Sequence, residues 1–290
     1  MKKYTVYGNC QARVLPSVLN SSKVFKRTFQ YVDVKAVHTL DSEELDYFID
    51  EVLPELDLFI FQPVSKNYND NERYSTEFLL SKLKSDAISV SFPSCYFTGY
   101  TPEIKHTKLI REGENKDEFD YHDRNIMEYF LSTDTPEPKD FISSDHFYSE
   151  DFSLQAVEQS LKELEKRELS IFGSEKQLDI KVSKFIRDNY QKQRLFHTVN
   201  HPSKPLFIYL GEAILDFLTI KDEITFFKDP LEHTVYPIYK SHYQNLKFEF
   251  ENSVNYKIQN QDYLLQDIIK KYLDYYHKIP KEAIGNKVAI

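Results

Sequence analysis

The sequence predicts an α/β protein with a parallel sheet between layers of helices. Strand-like and helix-like patterns alternate through the first hundred residues, and a helical pattern separates each strand from the next. Strands separated in this way pair in parallel through right-handed crossovers. The third strand contains the unbroken apolar run Leu58–Phe61, which is typical of a strand covered on both faces.

The elements of this first part follow from caps and chain-breaking residues. Ser42 stands ahead of Glu43 and Glu44, which is the pattern of a helix N-cap followed by an acidic first turn. Pro93 ends the fourth strand, and Pro16 makes the first helix irregular. We expect strands at about 3–8, 30–37, 57–62 and 87–92, and helices at about 11–20, 42–53 and 75–84.

The pattern changes after residue 93. Residues 93–120 are loop-like, and the stretch 133–139, which contains two prolines, predicts a connector. Residues 234–239 and 246–250 have strand character, but the sequence gives them no place in a sheet. Helical patterns occupy most of the rest, at about 122–131, 151–169, 175–192, 203–219 and 260–276.

Composition argues against several classes of function. The net charge of −9 argues against nucleic-acid binding, which needs a basic footprint. The two cysteines lack C-x-x-C spacing, so we expect no disulfide framework, no metal site and a reduced, cytoplasmic setting. Neither a P-loop nor a G-x-G-x-x-G motif is present. We recognise no secretory signal and no run of about 18 apolar residues, so we expect no membrane span.

The segment Gly8-Asn9-Cys10-Gln11 lies where the first strand ends and the first helix begins. Backbone N–H groups at a helix start are unpaired, and the helix dipole adds partial positive charge there. Both favour the thiolate over the thiol, and the thiolate is the nucleophile. The carboxyl ends of strands in an open α/β sheet also carry the ligand sites. Cys10 is therefore a candidate nucleophile, with a small buried residue as the alternative.

A nucleophilic cysteine needs a base. His201 precedes Pro202 at a loop-to-helix junction, which holds an imidazole at the edge of an element, and Asn200 is placed to assist it. His122, which Asp123 follows at a helix start, is a second candidate because a nearby carboxylate raises the pKa of a histidine. Adjacent residues on a helix do not face each other, however. A surface or capping residue is the alternative in each case.

Polar residues near the strand ends are candidate donors to an oxyanion or to a substrate. Gln62 ends the third strand at the same sheet edge as Cys10, and a side-chain amide there can donate to a carbonyl oxygen. The alternative is a polar residue bonded to a loop. The aromatic loop 93–102 predicts a pocket wall. The candidate oxyanion and substrate-binding residues are Gly8, Asn9, Gln11, Gln62, Tyr100, Tyr121 and Asn200.

Several short motifs occur together in a fixed order. They are Tyr7 to Gln11, Gln62-Pro63, Pro93 to Pro102, Tyr121-His122-Asp123, Arg167-Glu168 with Asp179, and Leu195-Phe196 to Pro202. In this order they resemble the WcbI-like acetyltransferases of polysaccharide biosynthesis, over about residues 4–220. The resemblance implies a three-layer core like that of the SGNH hydrolases, which is flavodoxin-like, with additional helices in the C-terminal half.

The same resemblance implies acetyl transfer from acetyl-coenzyme A to a sugar hydroxyl in capsular or exopolysaccharide biosynthesis, without a metal. Cys10 then takes the place of the hydrolase serine, and His201-Pro202 resembles the late Asp-x-x-His-Pro element of the hydrolases. Thr198 stands where that aspartate would be. The site is then a Cys-His dyad, or its acid comes from elsewhere, with Asp123 as the first candidate.

Coenzyme A carries phosphates, so basic residues are expected along one side of the cleft. The candidates are Arg13, one turn into the first helix, and Arg194. The expected partner is a glycan or a sugar precursor, and a homo-oligomer is possible. The resemblance predicts a catalytic core at 1–220, with a helical insertion at about 103–170, and a C-terminal extension at 221–290.

Two mechanisms and two other functions stay open at this point. His201 either activates Cys10 to carry the acyl group, or His201 or His122 deprotonates the sugar hydroxyl while Cys10 only lines the site. An esterase or deacetylase on the same fold would use water as its acceptor. A carbohydrate-binding protein of a glycan-assembly complex would carry out no reaction at all.

Overall fold

The computed structural model describes residues 1–111, 113–119, 121–143, 147–253 and 255–288. The strands are β1 (Lys2–Tyr7), β2 (Phe29–Tyr31), β3 (Leu58–Phe61), β4 (Ile88–Ser91), β5 (Ile104–Lys105), β6 (His122–Asp123), β7 (Phe196–Thr198), β8 (His201–Pro202), β9 (Tyr256–Ile258) and β10 (Gln261–Tyr263). The α-helices are α1 (Cys10–Leu19), α2 (Lys23–Thr28), α3 (Ser42–Tyr47), α4 (Thr76–Leu80), α5 (Arg124–Ser132), α6 (Pro138–Ser143), α7 (Glu150–Leu169), α8 (Ser183–Asn189), α9 (Lys204–Phe217), α10 (Lys240–Asn245), α11 (Leu265–Tyr276) and α12 (Lys281–Val288).

The main sheet has four parallel strands in the order β2-β1-β3-β4. Tyr4 of β1 lies opposite Tyr31 on one side and Leu58 on the other, so β1 is an inner strand. The chain adds β2 on one side of β1 and β3 on the other. A topological switch point therefore lies between β1 and β3, and open α/β sheets bind their ligands at the carboxyl ends beside such a point. The predicted α/β class is confirmed, whereas the likeness to SGNH hydrolases stays a prediction.

Two compact units make up the chain, and each has its own hydrophobic core. Unit 1 comprises Met1–Tyr96, Leu161–Asn189 and Asn200–Leu231, and unit 2 comprises Phe97–Ser160, Tyr190–Val199 and Glu232–Ile290. Unit 1 holds the main sheet, and its α1 and α9 pack together. The predicted division into a core at 1–220 and an extension at 221–290 stays a prediction.

Gly211 shows how closely α9 is packed within unit 1. A Cβ added at Gly211 would lie 2.9 Å from Val18 Cγ1 of α1 and 3.1 Å from two carbon atoms of Ile224. Only glycine fits this close approach without movement of its neighbours. The contact fixes the helix that begins directly after His201-Pro202 against the helix that begins at Cys10.

Local sequence signals predicted most elements of unit 1. Two of these predictions were wrong, because hydrogen bonds to distant residues replaced the expected local structure. The strand expected at 30–37 ends at Tyr31, since the carbonyl groups of Val32 and Val34 accept from the side chains of Thr5 and Arg13. The helix expected at 175–192 is confined to Ser183–Asn189. The preceding segment instead bonds to the β4 residue Ser91 through Ile180 and Asp179.

In unit 2 the strands expected at 234–239 and 246–250 do not form, and α10 lies between these segments. A hairpin of β9 and β10 occupies residues 256–263 instead, so the helix expected from residue 260 begins at Leu265. Gln259 and Asn260 both have positive φ, as a two-residue type I′ turn requires. The pair Gln-Asn is not the usual Asn-Gly signal, and the hairpin was missed for that reason. Among the described residues, no helix combines the length and the apolar character that a membrane crossing needs.

Candidate active site at the first strand–helix turn

Gly8 makes the turn between β1 and α1 possible. Its φ is +155°, and an added Cβ would lie 2.4 Å from Gln62 Oε1 and 3.0 Å from the Ala12 Cβ. The carbonyl group of Gly8 accepts a hydrogen bond from the Val37 N–H at 2.9 Å. Because no side chain fits here, Gly8 allows the end of β3 to approach the residue before Cys10.

Asn9 caps α1 and ties the turn to two other strands. Its Oδ1 accepts from the Gln11 N–H at 2.9 Å, as an N-cap side chain does. Its own N–H donates to Gln62 Oε1 at 2.9 Å, and its Nδ2 donates to Ser94 Oγ at 3.0 Å. Gln62 follows β3 and Ser94 follows β4, so the carboxyl ends of three parallel strands meet at this cap.

Gln11 is buried, and its side-chain amide connects three segments of unit 1. Nε2 donates to the carbonyl groups of Cys95 and Asn200, each at 2.8 Å. Oε1 accepts from the Cys95 N–H at 2.9 Å and from Gln62 Nε2 at 3.1 Å. The residue directly after Cys10 is therefore bonded to the residue directly before His201. This contact joins the two segments in which sequence analysis placed the nucleophile and the base.

The amides of Gln11 and Gln62 are both used within the protein. Gln62 Nε2 donates to Gln11 Oε1 and to the Pro93 carbonyl at 3.3 Å, and its Oε1 accepts from Asn9. An oxyanion role for either side chain stays a prediction, and it would require these bonds to break. What the geometry provides directly is a rigid support beneath the turn.

Cys10 begins α1 and is half-buried. Burial raises the pKa of its thiol above the usual 9.0, while the backbone N–H groups of Gln11 and Cys10 act in the opposite direction with less effect. The expectation that the helix start favours the thiolate was therefore wrong, because desolvation outweighs the amide groups. Because the raised pKa favours the thiol over the thiolate, a nucleophilic role for Cys10 requires a base.

His201 is half-buried in β8, and Pro202 separates it from Ser203, the N-cap residue of α9. Its neighbour Asn200 accepts the hydrogen bond from Gln11 described above. His201, Asn200, Cys10, Gln62 and the cap all belong to unit 1. The structure thus places the first-choice nucleophile and base on segments that are bonded to each other.

His122 and Asp123 belong to unit 2, and Asp123 is not the partner of His122. His122 Nε2 lies 3.0 Å from Asp117 Oδ2, and its Nδ1 lies 3.0 Å from the hydroxyl of Tyr276. Burial lowers the pKa of His122 despite the carboxylate of Asp117. Asp123 caps α5 by accepting from the N–H groups of Asn125 and Ile126. These contacts describe a buried structural cluster, and catalytic roles for the pair stay predictions.

Three further candidates of unit 2 are held by internal contacts. The Tyr100 hydroxyl donates to the Tyr190 carbonyl at 2.8 Å, and the carbonyl group of Tyr121 accepts from the Tyr272 hydroxyl at 2.9 Å. The Arg194 Nε donates to the Phe196 carbonyl at 3.0 Å, and burial lowers the pKa of its guanidinium to about 10. Roles in binding substrate or coenzyme A stay predictions for all three.

Arg13 lies one turn into α1 at the surface of unit 1. Its Nη1 pairs with the carboxylate of Asp33 and donates to the Val34 carbonyl. An anionic ligand would have to compete with Asp33 for this guanidinium. The role of Arg13 toward the phosphates of coenzyme A stays a prediction.

Glu168 and Asp179 belong to one of the sequence motifs, and each carboxylate accepts hydrogen bonds from a neighbouring segment. Glu168 is buried and accepts from the N–H groups of Val182 and Ser183 at 2.6 and 2.9 Å, at the start of α8. Asp179 accepts from the N–H and hydroxyl of Ser91 at 2.8 and 2.7 Å. Glu168 thereby holds the start of α8 to the end of α7, and Asp179 holds the segment between these helices to the carboxyl end of β4. Ser94, the acceptor of Asn9 Nδ2, was missed because an isolated serine carries no sequence signal.

The described residues contain no group of three or more His, Cys, Asp or Glu side chains arranged to hold a metal ion. The arrangement defines a class of protein. It is an α/β protein whose switch point carries a half-buried cysteine at the start of the first helix, with a histidine segment bonded beside it.

Comparison with known proteins identifies the family. Residues 3–223 match the family described as the polysaccharide biosynthesis enzyme WcbI, and the chain belongs to this family. The resemblance inferred from the motifs is thereby confirmed, and the chain is a member of a family of polysaccharide biosynthesis enzymes. A comparison with curated proteins found no match.

A solved structure supports the same assignment over almost the whole chain. That protein is described as WcbI, a novel polysaccharide biosynthesis enzyme, in a native form without a disulfide bond between coenzyme A and one of its cysteines. It is 25% identical, its TM-score is 0.86, and the match covers 99% of this chain and 94% of that chain.

Proposed function

We propose that this protein is a coenzyme A-dependent acetyltransferase that modifies a sugar hydroxyl in capsular or exopolysaccharide biosynthesis, on an SGNH-like core in the cytoplasm. One observation carries the proposal: the Gln11 side chain bonds the carbonyl group of Asn200 at 2.8 Å. That bond joins Gln11, the residue after Cys10, to Asn200, the residue before His201. The name of the related structure, which mentions coenzyme A and a cysteine, supports the choice of acyl donor.

The first half-reaction transfers the acetyl group to Cys10. The imidazole of His201 takes the proton of the Cys10 thiol, whose raised pKa makes a base necessary. The sulfur then attacks the thioester carbonyl, and in this proposal the backbone N–H of Cys10 donates to the resulting oxyanion. When the carbon–sulfur bond of the donor breaks, the proton on His201 goes to the departing thiolate. Cys10 is left as an acetyl thioester.

The second half-reaction uses the same two side chains. His201, neutral again, accepts the proton of the sugar hydroxyl as the oxygen attacks the acetyl thioester. The bond from the acetyl carbon to Cys10 sulfur breaks, the sulfur recovers the proton from His201, and an O-acetyl sugar leaves. The two half-reactions balance in atoms, protons and electrons without an oxidant, a reductant or a metal.

The residues of the turn fit the thiol end of coenzyme A, because a half-buried sulfur and the N–H groups of Cys10 and Gln11 lie together there. Coenzyme A, when bound, supplies an activated thioester. Arg13 would face its phosphates only in competition with Asp33, so we expect the thiol end to contribute more to the specificity of the site.

Intact-protein mass spectrometry after mixing with acetyl-coenzyme A tests the proposal. We expect one acetyl group on the wild-type chain, none on Cys10→Ala, and a labelling rate reduced at least about 100-fold in His201→Gln, which is typical of the loss of a general base. Cys95→Ala is the matched control, since Cys95 is fully buried, and it should label like the wild type.

The outcomes separate the alternatives. Full acetyl transfer by Cys10→Ala would mean direct transfer with Cys10 only lining the site. Hydrolysis of p-nitrophenyl acetate that does not depend on coenzyme A would favour an esterase or deacetylase. Glycan binding that is unchanged in both variants, without any turnover, would favour a carbohydrate-binding protein.

A further inference from the structure

A small cavity of unit 1 opens beside the candidate site, and nothing described above uses it. It measures about 100 Å³, and its walls come from the ends of β3 and β4 and from the segment after α7. Pockets for drug-sized ligands measure roughly 300–1,000 Å³, so this one can enclose only part of a ligand. Its lining includes Pro63, Pro93, Ser94, Arg167 and Phe172.

Phe172 stands at this cavity in an unusual backbone conformation. Its φ is +50° and its ψ is 37°, which is the left-handed region that non-glycine residues seldom occupy. The side chain is nevertheless 62% exposed, so packing does not explain the strain. Such strain persists only where the surroundings fix it, and it concentrates at ligand sites.

The loop that presents Phe172 is held on both sides. The Ile171 N–H donates to the Lys176 carbonyl at 2.8 Å, and Ser170 Oγ donates to the Ser174 carbonyl at 2.8 Å. Beyond the loop, Asp179 bonds to Ser91 of β4 and Glu168 bonds to Val182 at the start of α8, as described above. The aromatic face of Phe172 is therefore offered to solvent by a fixed support.

Arg167 supplies a positive charge at the same cavity. Its Nε donates to the Glu163 carbonyl at 3.1 Å, and its guanidinium lies 6.0 Å from the ring centroid of Tyr96. Among the described residues no carboxylate forms an ion pair with Arg167. A guanidinium left with free N–H groups is suited to two-point binding of a carboxylate or a phosphate.

The cavity is one hydrogen bond away from Asn9, the residue before Cys10. Ser94 Oγ accepts from Asn9 Nδ2 at 3.0 Å, and Gln62 Nε2 donates to the carbonyl group of Pro93. Ser94, Pro93 and Pro63, the residue after Gln62, all line the cavity. A ring held there contacts residues that are hydrogen-bonded to Asn9, the residue next to Cys10.

Building on the proposed function, we infer that this cavity binds the acceptor, and that the acceptor is a pyranose ring carrying an anionic group. The apolar C–H face of the sugar packs on Phe172, and the anionic group pairs with Arg167. The shared chemistry covers a uronate of a glycan and a phosphorylated sugar precursor.

Binding to the full chain, measured by NMR titration, tests the inference without any acetyl transfer. The probes are methyl glucuronide, α-glucosyl phosphate, methyl glucoside and adenosine bisphosphate. We expect at least one of the two anionic sugars to bind about tenfold or more tightly than methyl glucoside. The tighter of the two identifies the source of the anionic group, a glycan uronate or a sugar phosphate.

Four variants locate the binding. Phe172→Ala should weaken all sugar probes, and Phe172→Gly should do so while relieving the left-handed backbone. Arg167→Gln should weaken only the anionic sugars, to the level of methyl glucoside. The control for Arg167 is Arg27→Gln, which changes an exposed arginine whose Nε also donates to the carbonyl group four residues earlier. The control for Phe172 is Phe227→Ala, at a side chain that is 85% exposed. Neither control should change sugar binding.

The inference is overturned if Phe172→Ala and Arg167→Gln leave sugar binding unchanged, or if they weaken adenosine bisphosphate instead. Cys10→Ala should retain sugar binding. If acetyl labelling fails while sugar binding depends on Phe172 and Arg167, the proposed reaction is wrong and the sugar site stands. If labelling succeeds and the Phe172 and Arg167 variants leave sugar binding unchanged, the proposed reaction stands and the sugar site is wrong.

Discussion

At the scale of single residues, Cys10 shows how two opposing effects set the state of a thiol. The helix start directs N–H groups at the sulfur, yet burial dominates and raises the pKa. A position at a helix N-terminus is therefore not sufficient to ionise a cysteine in this protein. If Cys10 is acetylated, its proton has to be removed during the reaction, and a base beside it becomes part of the mechanism.

The rate of alkylation by iodoacetamide should rise with pH and reach its midpoint above 9.0, the usual pKa of the thiol. Only the thiolate reacts, and the raised pKa of Cys10 keeps that form scarce at neutral pH. Mass spectrometry of the labelled chain measures the rate, and Cys10→Ala controls for Cys95, whose pKa burial also raises. A midpoint below 9.0 would mean that the sulfur exists as a thiolate paired with an imidazolium at rest.

At the scale of elements, the Gln11 amide holds the start of α1 to the segment after β4 and to Asn200. All of its partners are polar atoms of unit 1, and Cys95 and Gln62 are buried with it. Buried polar groups are stabilising only while they stay paired. The site is accordingly built on one side chain that satisfies four hydrogen bonds at once.

Gln11→Ala should lower the free energy of unfolding by about 3 kcal/mol or more, because it removes the partner of both the buried N–H and the buried carbonyl group of Cys95. Urea denaturation measures this change, and acetyl labelling of Cys10 should fall in parallel. Gln30→Ala removes an exposed glutamine of β2 and should change the free energy by less than about 0.5 kcal/mol. Equal stabilities for the two variants would contradict the role assigned to Gln11.

Local patterns predicted the sheet, the first helices and the meeting of strand ends, because strand, turn and cap signals all lie within a few residues. They located Cys10 and the His201 segment for the same reason. They did not show that the Gln11 amide is used internally, since its partners Cys95 and Asn200 lie 84 and 189 residues away. The length of the helix at Ser183–Asn189 was likewise overestimated, because Glu168, 15 residues earlier, accepts from the N–H at its start.

At the scale of the whole molecule, the abundance of tyrosine has a structural reason. The core of unit 2 pairs buried polar groups with tyrosine hydroxyls: Tyr239 donates to Asp123, Tyr148 donates to Glu103, and Tyr276 bonds His122. A tyrosine fills an apolar core and still brings a donor to a buried acceptor. The two carboxyl groups are nevertheless costly to ionise there, since burial raises the pKa of both Glu103 and Asp123.

The stability of unit 2 should therefore depend on pH through Asp123. Burial raises its pKa from 3.8 to about 6, so the folded state holds the proton more tightly than the unfolded state. The stabilisation is complete below pH 3.8 and is lost as pH rises through 6, at a cost on the order of 2 to 3 kcal/mol at neutral pH.

Asp123→Asn keeps an oxygen for the α5 cap and carries no charge. Urea denaturation should show it to be at least as stable as wild type at pH 7 and less dependent on pH between 4 and 7, whereas Asp140→Asn, at an exposed position in α6, should follow the wild type. A loss of stability at pH 7 in Asp123→Asn would mean that the ionised carboxylate stabilises the cap, and that the pKa of Asp123 is not raised.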